Sequence, residues 1–197
     1  MPTLFSSSTF EKALFKATMD IREHHLTGLM FVKKVLDPGS GIRDLSTGTA
    51  YSSVDAGVKY RIVFSNEFGM TYFDLEIGSD SLHVHYCFEP LNKKALWKIL
   101  ETDFRLLLTT EEVSGYMKSY IQDKTNYLAC RQKQGNIVRW DLYTCEGDTL
   151  VEVRGKSNLA DQAHIAFNGY QQGFPSRIII LNPFIKLKLS ISLLSIN

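Results

Sequence analysis

The chain has 197 residues, 44% of them hydrophobic, with a formal net charge of +1 and a mean hydropathy of −0.10. That length suits one domain, 1–197, with a sizeable core. A near-neutral chain whose Lys and Arg never run beyond two in a row gives no electrostatic case for nucleic acid or an anionic membrane surface.

The opening MPTLFSSSTF has neither the basic start nor the apolar centre of a signal peptide. No apolar run reaches the roughly 18 residues of a membrane-spanning helix. From Phe10 to Ile21, Ala13, Phe15, Ala17, Met19 and Ile21 share one face of a strand, with room for a short helical turn before it. His24 to Gly28 links it to a second strand, Leu29 to Leu36. Asp37 to Gly57 is rich in Gly, Ser, Thr and Asp and long for a connection. Such a segment is either a plain mobile loop or one that gates a site or touches a partner.

Tyr60 to Leu108 organises the chain. Tyr60, Ile62 and Phe64 alternate with more polar neighbours, as do Phe73, Leu75 and Ile77. Asn66 to Gly69 and Gly78 to Asp80 are turn sequences that join three consecutive strands. A helix opens at Pro90, with Leu96, Ile99, Leu100, Phe104 and Leu107 as its apolar stripe and Trp97 beside it. Thr109 to Lys124 is polar and reads as irregular, with a helical turn near Val113 to Met117. Strands resume at Asn126 to Lys133 and Asn136 to Tyr143 around Gln134-Gly135, then at Thr149 to Arg154, at Ala163 to Phe167 and at Arg177 to Leu181. The last strand alternates Ile185, Leu187, Leu189, Ile191 and Leu193 with Lys and Ser.

Ten or eleven strands with short connections imply an antiparallel meander, mainly β with one helix (α+β). A sheet that long curls. The expected architecture is a strongly curved antiparallel sheet, an unclosed β-barrel, wrapped around the amphipathic helix. The helix stripe then either fills an ordinary core or, at a minority of positions, lines an apolar cavity.

Reactive side chains form no familiar pattern. His83, His85 and Cys87 alternate on one expected strand, but same-face neighbours stand about 7 Å apart, too far for three ligands on one tetrahedral zinc. A partly exposed polar strand face is the plainer reading, and no metal or other cofactor is expected. The nucleophile elbow, the Cys/His signatures and the Gly-rich phosphate loops are absent, and Glu111-Glu112 reads as a solvated pair. No enzyme activity is expected. The three cysteines, Cys87, Cys130 and Cys145, read first as small buried hydrophobes, with a Cys130–Cys145 bridge left open.

The segment NEFGMTYFDLEI (Asn66 to Ile77), the segment HYCFEPLNKKAL (His85 to Leu96) and the ending SRIIILNPFIKLKLSISLL resemble LolA/LolB-like proteins, the lipoprotein-localisation factors. Within that group they are most similar to uncharacterised outer-membrane lipoproteins of Gram-negative bacteria. The resemblance spans most of Phe10 to Ile196. It implies an unclosed β-barrel covered by helices, with a cavity that accepts acyl chains, and a place in the periplasm or on the periplasmic face of the outer membrane. It carries no catalytic residues. The implied partner is a lipid or an acylated protein; the sequence does not set the oligomeric state, and a monomer is the expectation. Ile62, Phe64, Phe73, Leu75, Leu187 and Leu189 form the expected wall; Leu96 and Leu100 form the lid. The alternative is a structural, partner-binding lipoprotein with a filled core. The opening stretch holds no cysteine for a lipid anchor, and only one long helix is evident.

Overall fold

The computed structural model describes residues 10–36, 58–78, 81–108, 116–122, 125–134, 137–144, 149–157, 161–171 and 173–197. Among the described residues are twelve strands. β1 (Lys12–Ile21), β2 (His24–Leu36), β3 (Val58–Ser65), β4 (Thr71–Ile77) and β5 (Leu82–Cys87) come first. A 3-10 turn (Glu89–Leu91) and α1 (Lys94–Leu108) follow. Then come β6 (Tyr116–Gln122), β7 (Thr125–Gln134), β8 (Ile137–Thr144), β9 (Leu150–Ser157), β10 (Asp161–Gln171), β11 (Phe174–Asn182) and β12 (Leu187–Ile196).

All twelve lie in one antiparallel sheet of order β5-β4-β3-β2-β1-β12-β11-β10-β9-β8-β7-β6. Two meanders, β1–β5 and β6–β12, are joined where the first strand pairs with the last, Ala17 opposite Ile191 and Met19 opposite Leu189. The order ends at β5 and β6, and among the described residues no pairing closes the sheet on itself. α1 is the connection between those two edges.

The period of two puts one face inside. Phe15, Met19, Ile62, Phe64, Phe73, Leu75, Val153, Ile165, Ile178 and Leu189 are all buried. The β4–β5 end of this face is aromatic: Phe64 meets Tyr72 at 4.9 Å and Phe73 at 5.6 Å between ring centroids. Offset and tilted rings at these separations add a little to the burial itself.

Several expectations need correction. His24 to Gly28 is not a linker but the first part of β2; the turn is Arg22–Glu23, where Arg22 takes φ 53°. Gly28 is there for close approach: a Cβ at that position would stand 1.9 Å from the carbonyl oxygen of Ser65. The segment expected to be irregular contains β6. The α-helix begins at Lys94, and Pro90 sits in the preceding 3-10 turn. Ile185, expected in the last strand, lies in the turn before β12. Residues 37–57, the pair Glu111-Glu112 and Cys145 fall outside the described residues.

Candidate functional site

The inner face of the sheet and the helix against it form the candidate site. Cross-strand pairing brings four of the expected wall residues together: Ile62 opposite Leu75, and Phe64 opposite Phe73. Leu187 and Leu189 lie on the same buried face but on β12, with β1 and β2 between them and β3. They stand three strand steps from β3 along the sheet, within the same buried core cluster. Leu100 is buried, whereas Leu96 is half-buried at the edge of the core.

α1 is rotated relative to the expected stripe. Trp97, expected beside it, is buried and meets Phe73 edge-on at 5.9 Å and 82°. Phe104 packs on the same ring at 6.3 Å. Leu106, Leu107 and Leu108 complete the buried face, with Leu96 and Ile99 at its margin. The Trp97 indole N–H finds no acceptor among the described residues.

Polar ties hold this apolar helix to the sheet. Asp103 is 1% exposed, and both its oxygens accept from Asn182 Nδ2 at 3.0 Å. Burial pushes its carboxyl up to about 7, with the Asn182 donor pulling the other way. About one turn further along α1, Arg139 pairs with Asp141 at 2.7 Å, both almost fully buried, and donates to the carbonyl of Leu106 at 2.9 Å. That carbonyl belongs to the last turn of α1, where no intrahelical partner exists. Burial raises the Asp141 carboxyl, and Arg139 opposes the rise. On the opposite flank, Arg105 donates to the carbonyl of Gly78 and to Glu101 at 2.7 Å. The sequence carries one signal for this set: Asp103 falls three residues after Leu100, on the buried face of the helix, where a carboxylate needs a partner. Asn182, 79 residues away, has no local signal.

The His/Cys set does not form as expected. A register shift between Asp74 and Leu75 leaves His85 out of the paired register of β4 and β5. Cys87 then pairs with Phe73 and packs on the core, while His83 pairs with Glu76 on the outer face. The rings of His83 and His85 meet at 4.5 Å, and Cys87 is on the other side of the sheet. Burial raises the Cys87 thiol to about 11, which suits an inert, half-buried thiol. Cys130 is also a free thiol.

No family model matches the chain, and no curated protein matches it. Among solved structures it is similar to a putative outer membrane lipoprotein-sorting protein domain from Vibrio parahaemolyticus, with a TM-score of 0.53 and 10% identity over 96% of this chain and 86% of that one. It is also similar to a DUF1329 family protein from Desulfovibrio piger ATCC 29098, with a TM-score of 0.55 and 7% identity over 96% of this chain and 86% of that one. At such identities the likeness is one of fold, and the fold is the LolA-like one that the sequence resemblance implies.

Proposed function

We propose that the chain is a single-domain, non-enzymatic carrier of an apolar chain, a lipid or the acyl group of a lipoprotein, acting on the periplasmic side of an outer membrane. The observation that carries this reading is the reach of α1. Leu106 touches β8 through Arg139, and Phe104, two residues earlier, touches β4 through Phe73. β4 and β8 stand eight steps apart in the sheet order. Across a flat sheet that is roughly 38 Å. Neighbouring residues of one helix span nothing like that distance, so we infer that the sheet bends around α1. A bent, unclosed sheet with an apolar inner face is a trough, and the helix that joins its two edges is the lid. Similarity of fold to a lipoprotein-sorting protein domain supports the same reading.

On this reading the trough is shut. Ile62, Phe64, Phe73, Leu75 and Leu189 are at most 1% exposed. A guest must therefore displace α1 before it meets the wall. The same close packing favours a second reading, a partner-binding lipoprotein whose core is permanently filled.

Displacement of a fluorescent fatty-acid probe separates the two. On the carrier reading the wild type binds the probe, and Leu189→Glu, with a charge on the wall, abolishes binding in protein that still folds. Equal binding by a folded variant removes Leu189 from the wall. No binding by the wild type favours the filled-core reading.

A further inference from the structure

A cavity of about 470 Å³ opens where β10, β11 and β12 reach the 183–186 turn. Its size falls in the range of small-molecule sites. It crosses the rim of the sheet. Ala163, Asn182 and Leu187 belong to the buried face; Arg154, His164 and Leu181 lie on the outer side. Lys186 and Pro183 supply the turn. The inward-facing lining is apolar apart from Asn182, and the outward-facing lining carries Arg154 and His164.

The charges on the outward-facing side are uneven. Arg154 donates through Nε to Glu152, which leaves the two terminal nitrogens of a half-exposed guanidinium for another acceptor. His164 Nε2 stands 3.2 Å from Glu152 but out of line for a hydrogen bond. Burial and the Arg154 charge hold the His164 imidazole below its ordinary range, so it stays neutral at pH 7. Lys186, held at φ 53°, forms no ion pair among the described residues. With Glu152 counted against Arg154, the rim retains one net positive charge and a free fork of donors.

We propose that this cavity seats the head of a single-chain anionic amphiphile. Arg154 and Lys186 face its oxyanion, a carboxylate or phosphate monoester, and Ala163 and Leu187 receive the first methylenes. Guanidinium and ammonium donors to an oxyanion are the stronger class of hydrogen bond. The placement also has a consequence for the helix. Asn182 lines the cavity and at the same time holds Asp103 of α1, so an occupied head site lies directly beside the tie that keeps the lid down. The inference rests on the carrier reading, because it assumes that an apolar chain follows the head inward.

The test measures dissociation constants by calorimetry, below micelle formation, for dodecyl phosphate, for tetraethylene glycol monododecyl ether and for inorganic phosphate. The variant is Arg154→Gln combined with Lys186→Asn; Asn tolerates the left-handed backbone at 186. The double variant should weaken dodecyl phosphate by about tenfold or more. It should leave the neutral ether within about twofold, the spread expected for a charge change that touches no methylene. Unchanged affinity for dodecyl phosphate in the variant overturns the head site, as does equal weakening of the ether. Inorganic phosphate binding as tightly as dodecyl phosphate makes this a free-anion site and overturns the amphiphile. If the ether binds and dodecyl phosphate gains nothing over it, the head site alone fails. If neither amphiphile binds the wild type, the head site is overturned, while the carrier reading stands or falls on the fatty-acid probe.

Discussion

Asp103 offers the sharpest test of how α1 is held. Its carboxyl is buried, both oxygens share one Asn182 nitrogen, and its pKa is pushed up to about 7. In the unfolded chain an aspartate titrates near 3.9. The folded state therefore binds this proton more tightly than the unfolded one. Linkage then gives a definite sign: the stabilising contribution is complete below pH ~4 and is lost as pH rises towards 7. The gap from 3.8 to about 7 corresponds to roughly 4 kcal/mol at full expression, and local relaxation leaves about 2–4. Asp103→Asn keeps an oxygen for Asn182 and removes the charge. Urea unfolding should show the variant within about 1 kcal/mol of wild type at pH 4, and more stable by roughly 2–4 kcal/mol at pH 8. The difference between the two proteins cancels other titrating groups, including His164, whose lowered pKa acts in the opposite direction as pH falls. A difference that does not change with pH, or a variant less stable at pH 8, refutes the reasoning.

Two further substitutions probe the packing. Leu100→Ala, on the buried face of α1, should cost roughly 2–5 kcal/mol in denaturant unfolding, and a cost well under ~1 would place Leu100 outside the core. Gly28→Ala forces a Cβ to 1.9 Å from the Ser65 carbonyl and must push β2 from β3; a loss of at least ~2 kcal/mol is expected, and unchanged stability would mean that the two strands do not approach so closely.

Legibility in the sequence followed burial. β3, β4 and β12 alternate because one face of each is packed and the other wet, and their pairing is the expected kind. β6 lies at an edge of the sheet, with Met117 and Ile121 exposed, so no apolar alternation marks it. β2 was hidden at its start by Gly28, which signals a turn locally but serves a contact with β3. The irregularity at His85 broke the period of two that put His83 and Cys87 on one face. The helix was visible as a helix, but its rotation depends on Asn182, Phe73 and Arg139, which are distant in sequence. Of the expected wall, the β3–β4 half gathers as one patch; Leu187 and Leu189 share its face but sit across the β1–β12 seam, which no local pattern reveals.

The balance between lid and guest decides whether a shut trough can still carry. The helix buries Trp97, Leu100, Phe104 and Leu107 against the sheet. At about 1.5–3 kcal/mol for each large apolar side chain, exposing that face costs on the order of 10 kcal/mol. An acyl chain gains about 0.8 kcal/mol per buried CH₂, so roughly 12 methylenes offset the opening. On the carrier reading, shorter chains then fail to bind measurably, and longer ones bind with only the surplus, weakly enough to be passed on. Affinity measured for fatty acids of about 8 to 18 carbons should show this threshold, then rise by up to roughly fourfold per added methylene. Opening costs that fall, as in a variant lacking Trp97, should move the threshold to shorter chains. An eight-carbon acid that binds the wild type as tightly as a sixteen-carbon one would show that the guest never displaces α1, and that the trough is not where the chain goes.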